Sequence, residues 1–166
     1  MTDQNTDQQA GAQTEAPIFR LQKMYVKDLS FENPNAPEVF TTKQNEPKVE
    51  INLGLKNNRL EGDSLYEVTI SITAKVTHGQ EAKTLFIIEV EHGGVFTIKN
   101  IPDQHIPAVL AVDCPTMMFP YTRQIISQLT VDGGFVPFLM EPVNFLALFQ
   151  NQQRQAAAQT QDTPQQ

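Results

Sequence analysis

The residues best equipped for covalent or acid–base chemistry are the single cysteine, Cys114, the histidines His78, His92 and His105, and 19 carboxylates. Cys114 and His105 have the residue types of a nucleophile and its base. Cys114, however, precedes Pro115 in an apolar stretch, where a buried, inert thiol is the better reading. The histidines stand beside turns or chain breaks, at no spacing that ligates a metal. Gly93-Gly94 lacks the further glycines and the lysine of a phosphate loop. The acidic residues form no inward pair recognisable for hydrolysis. The residues therefore predict a protein that is not an enzyme, with no cofactor and no metal site.

What the chain offers instead is apolar surface. From Cys114 to Phe149 it reads CPTMMFPYTRQIISQLTVDGGFVPFLMEPVNFLALF, more than a small domain needs for its own core. Apolar residues make up 40% of the 166, a figure lowered by polar ends. The net charge is −7 with no Lys/Arg-rich run, which argues against binding nucleic acid and favours basic or mixed-charge partners. MTDQNTDQQAGAQTEA at the N-terminus has neither a basic nor an apolar region, so no signal peptide is expected. No apolar run is long enough to span a bilayer, and one cysteine permits no internal disulfide. A cytoplasmic location is the natural expectation.

The elements that must carry this surface follow from periodicity. Residues 1–16 and the Gln/Ala-rich stretch 154–166 are expected to be disordered, flanking one domain over 17–153. Ile18 to Phe31 alternates loosely, placing Phe19, Leu21, Tyr25, Leu29 and Phe31 on one face of a first strand. Pro34, Pro37 and Pro47 make the following segment a long crossing loop. Clean alternation in KVEINLGLK and YEVTISITAKV gives two strands of an antiparallel meander. The fourth strand, TLFIIEVEHGG, is apolar on both faces and wants cover on both, with Gly93-Gly94 ending or bulging it. A helical stripe of Ile106, Leu110, Cys114, Met117, Tyr121, Ile125 and Leu129 follows, with a break expected near Asp113–Pro120. Asp132-Gly133-Gly134 stops that helix, and Asn144 caps a short last one. The fold class is α+β: a four-stranded antiparallel sheet, a long Pro-interrupted helix and a short C-terminal helix.

Four segments together resemble the SecB family of protein-export chaperones: YVKDLSFENPNAPEVF (25–40), FIIEVEHGG (86–94), CPTMMFPYTRQIISQL (114–129) and PVNFLALF (142–149). They occur in that family's order and spacing across roughly residues 17–150. The resemblance implies a homotetramer, a dimer of dimers, that needs no nucleotide. It implies an ATP-independent holdase that keeps precursor proteins unfolded in the cytoplasm and passes them to the SecA translocation ATPase. It places SecA docking on Asp28, Glu32, Ile87 and Glu89, and subunit contact on the strand of Ile88 and Val90. It places client contact on Phe40, Phe135, Phe138, Leu139, Met140 and Phe145.

Physical chemistry suits that assignment. Phe and Met give large, adaptable apolar area with few directional demands, and Pro137 and Pro142 stiffen the segment without letting it become a helix. The same residues could simply close the core over the sheet. Two alternatives stay open: a chaperone of the same fold dedicated to one client, such as a toxin–antitoxin system, or a small-molecule-binding α+β domain.

Overall fold

The computed structural model describes residues 15–42, 47–79 and 82–161. The expected disorder of 1–16 falls almost wholly outside that set. Four antiparallel strands, β1 (Ile18–Glu32), β2 (Lys48–Arg59), β3 (Leu65–His78) and β4 (Lys83–Lys99), form one sheet in the order β1-β4-β3-β2. The last three make the expected meander, and β1 closes on β4 after the crossing loop, so β1 and β2 are the sheet edges.

Alternation decides which face each strand buries. Val68, Ile70, Ile72, Ala74 and Val76 of β3 and Phe86, Ile88, Val90, Phe96 and Ile98 of β4 form the core beneath the long helix. Gly93-Gly94 does not end β4, which continues to Lys99. Its two glycines instead admit close neighbours on opposite faces. A Cβ on Gly94 would lie 2.8 Å from Met118 Sδ, and one on Gly93 would lie 2.8 Å from Tyr25 Cζ.

The long helix α1 (Cys114–Asp132) is entered through a single α-helical turn, Ile106–Ala108, and a π-helical turn, Val109–Asp113. No break falls between Asp113 and Pro120. Pro115 lies in the first turn of α1, and Pro120 sits inside it on the exposed side, where solvent can reach the carbonyl that loses its helix bond. The buried stripe also differs from the apolar count. Leu110, Cys114, Met118, Thr122, Ile126 and Thr130 face the sheet every fourth residue, while Met117 and Tyr121 are exposed. The reading by apolarity skipped Thr122 and Thr130 because they are polar; both are buried with their hydroxyls bonded.

The stop at the helix end holds. Gly134 takes φ +86°, Gly134 N–H donates to Val131 O and Phe135 N–H to Thr130 O, a pattern that reverses the chain. Asn144 caps α2 (Phe145–Gln161) through Ala147 N–H to its Oδ1 at 2.9 Å. α2 is longer than composition suggests, crossing the stretch from Arg154 that reads as a disordered tail. Its Gln, Ala and Arg residues are good helix formers once a capped turn has nucleated the helix.

Candidate functional site

The helix-facing side of β2 lies beyond the cover of α1, so Val49 and Ile51 remain exposed at a sheet edge. Segment 135–143 runs opposite them, and its position is set by the chain reversal after α1. Thr130 anchors it: its hydroxyl donates to Ser127 O at 2.8 Å and accepts Phe138 N–H at 2.9 Å. Phe135 is thereby delivered into an aromatic cluster, with its ring centroid 4.9 Å from Phe86 and 5.2 Å from Phe40. Phe31 stacks on Phe86 at 5.8 Å, and Phe138 meets Phe86 edge-on at 6.4 Å.

Between that cluster and β2 lies an apolar groove. One part, about 320 Å³, is lined by Val49, Val76, Leu85, Phe86, Phe135 and Phe138. A second, about 360 Å³, shares Val49 and Phe138 and continues along Ile51, Leu53, Leu139 and Val143. The crossing loop flanks its mouth, held by Lys83 Nζ on Glu38 at 2.7 Å and Asn35 Nδ2 on Thr84 O at 2.8 Å. The groove is open along its length and demands little hydrogen bonding, as a binder of varied extended chains requires.

The six expected client residues separate. Phe40 and Leu139 are exposed, and Phe135 and Phe138 are half-buried groove walls. Met140, at 4% exposure, and Phe145, at 2%, are core residues, with Phe145 edge-on to Phe119 at 5.5 Å. Composition could not tell these apart, because burial along 135–145 depends on which side chains turn under α1. Val136, exposed at 84%, lies within the same apolar segment, and the β2 pair Val49 and Ile51, which belong to this surface too, were missed. The alternation of β2 assigned Val49 and Ile51 to the core, and only the limited reach of α1 exposes them.

The sheet's other face brings the four expected docking residues together, three carboxylates and one isoleucine. Register pairs Glu32 with Ile87, Ser30 with Glu89 and Asp28 with Glu91, so Asp28, Glu32, Ile87 and Glu89 share that face. A β-irregularity between Val26 and Asp28 makes this possible, since one extra residue flips the parity of all that follows. With a second irregularity between Leu21 and Lys23, it also turns Tyr25 to this outer face, away from Phe19, Leu21, Leu29 and Phe31.

Ile88 and Val90, expected at a subunit contact, are 0% and 2% exposed beneath α1 on an interior strand. They are core residues of the protomer and offer no surface to a neighbour. The unprotected apolar side chains lie elsewhere: Phe19, Val26 and Leu29 on edge strand β1, and Met117 and Tyr121 on α1.

Cys114 is fully buried, and burial first, then the nearby Asp113 charge, pushes its thiol up to about 12. His105 lies exposed at the surface. His92 is buried, with Nδ1 2.8 Å from Thr122 Oγ1, and desolvation lowers its pKa. No group of three or more His, Cys, Asp or Glu among the described residues is arranged to hold a metal, and no described helix is long and apolar enough to cross a membrane.

A four-stranded antiparallel sheet, roofed on one face by a helix and open along an apolar groove, makes this an α+β domain with an exposed apolar binding surface. Residues 12–156 match the family model of the preprotein translocase subunit SecB. The Protein-export protein SecB of Desulfotalea psychrophila is 60% identical over 144 residues, covering 87% of this chain and 92% of that protein. That of Magnetococcus marinus is 48% identical over 154 residues, covering 93% and 96%. A solved Mycobacterium tuberculosis SecB-like chaperone, in complex with a peptide from an antitoxin, shares the fold at a TM-score of 0.62 and 15% identity, over 75% of this chain and 90% of that one. The chain belongs to the SecB family of protein-export chaperones.

Proposed function

We propose that this chain is an ATP-independent holdase that keeps precursor proteins unfolded in the cytoplasm and hands them to the SecA translocation ATPase. The open apolar groove between β2 and segment 135–143 carries this reading. Unfolded precursors expose extended apolar stretches, and the groove offers Phe40, Phe135, Phe138 and Leu139, with Val136 and Val49, to bury them. SecA docks on the opposite face of the sheet, where Asp28, Glu32 and Glu89 surround Ile87 and suit a basic segment with an apolar anchor. Placing the two sites on opposite faces lets client and SecA bind at once. The working unit is residues 17–153, assembled as a dimer of dimers through surfaces that include the exposed apolar residues of β1 and α1.

The test is a refolding assay without ATP, using a slow-folding precursor and its mature form. Stoichiometric suppression of refolding by a tetrameric species is the expected result. A folded protein that leaves refolding untouched overturns the holdase reading.

A further inference from the structure

The docking face carries a polar cluster not yet assigned a role. Glu67 of β3 is buried although it lies on the sheet face opposite α1. Three groups close around its carboxylate. Tyr25 Oη donates to Oε1, Lys27 Nζ donates to the same oxygen at 2.9 Å, and Asn58 Nδ2 reaches Oε2 at 3.4 Å. Tyr25 and Lys27 of β1 thus reach across β4 to Glu67 of β3, which Asn58 of β2 meets from the other side. Gly93 makes the crossing possible, because a Cβ there would sit 2.8 Å from Tyr25 Cζ and lift the ring off the strand. Lys27 is the extra residue of the irregularity between Val26 and Asp28. Its reach to Glu67 shows that its side chain shares the outer face with the neighbouring Asp28. A lysine loose at this position would lie among the carboxylates and cancel part of their field.

We propose that Tyr25, Gly93 and Glu67 are positioning residues that hold Lys27 over Glu67, so that its charge does not neutralise the neighbouring Asp28 and the carboxylates of the docking face stay open to a basic partner segment. This rests on the docking reading above. The protonation states suit the role. Burial first, and then Glu67, push the Tyr25 phenol up to about 12, so it stays a donor. The Tyr25 hydrogen bond first, and then Lys27, hold the Glu67 carboxyl below the usual carboxylate range, so it stays an anion at neutral pH.

The experiment is a double-mutant cycle read as binding to SecA at low and high salt, with client holding measured in parallel. Tyr25→Phe removes the phenol donor without changing any charge. It is expected to weaken SecA binding by roughly threefold or more at low salt, less at high salt, and to leave client holding unchanged. Gly93→Ala, which displaces the Tyr25 ring, is expected to act in the same way. In a Lys27→Met background both effects should vanish. A loss that persists in that background, or that extends equally to client holding, means the cluster is only a scaffold and overturns the proposal. Glu89→Lys is the control. If it leaves SecA binding intact, the docking reading itself fails. If it abolishes binding while Tyr25→Phe changes nothing, only the parking role fails.

Discussion

At the scale of single residues, two buried polar side chains do more than their types suggest. Thr130 looks like a gap in an apolar stripe, yet its hydroxyl holds Phe138 N–H and so one wall of the groove. Thr130→Val should leave that N–H without its acceptor, at a cost of about 1 kcal/mol. Urea melts should show a lowered midpoint with an unchanged slope, together with weaker client holding. His92 sits between strands and helix, beside Val26 of β1, Ile70 of β3 and Thr122 of α1, and no charged partner among the described residues offsets its burial. Its pKa is lowered from 6.5, so the unfolded chain takes up the proton first as pH falls. Stability is complete above that value and declines as pH drops below it. Thermal melts from pH 8 to pH 5 should show this decline (a range chosen to bracket an ordinary histidine at about 6.5), and His92→Gln should flatten it.

At the scale of elements, segment 135–145 divides its labour. Val136 and Leu139 project into solvent, while Phe145 lies under the fold against Phe119. Asp substitutions at Val136 and Leu139 should abolish suppression of refolding with little change in melting temperature. Phe145→Ala should instead cost about 3–5 kcal/mol of stability, since it removes a buried aromatic ring. If the exposed pair proves dispensable for holding, the groove is not the client site. Most element boundaries were legible: alternation gave β2 and β3, Asn144 gave the start of α2, and the glycine pair Gly133-Gly134 gave the end of α1. The π-helical turn at Val109–Asp113 was not, because nothing in side-chain polarity marks an extra residue in a helical turn.

At the scale of the whole molecule, the proposed function assigns the two faces of the sheet to different partners. Charge reversal at Glu89 should impair SecA docking while sparing client holding, as titration of each binding reaction will show. Paired Asp substitutions at Val26 and Leu29, exposed apolar residues of an edge strand, should shift sedimentation toward smaller species with an unchanged circular dichroism spectrum. Ile88→Glu should do something else: it places a charge in the protomer core and should unfold the chain.

The sequence by itself determined the α+β class, the strand alternation, the helix stop and cap, and the family. Each is written in local periodicity, in turn chemistry or in ordered motifs. It also placed Asp28, Glu32, Ile87 and Glu89 as one candidate patch, and register brings them onto one face. Tertiary structure alone decided the rest. Where β1 gains its two extra residues is settled by pairing, so the outward turn of Tyr25 had no signal in the β1 sequence. Which apolar residues are core and which are groove depends on how far one helix reaches across a sheet. Ile88, Val90, Met140 and Phe145 fall under α1, whereas Val49 and Ile51, with the same alternation, fall beyond its edge. Hydrophobicity specifies that a side chain seeks cover, and only the arrangement of elements decides whether the protomer supplies that cover or leaves it to a partner.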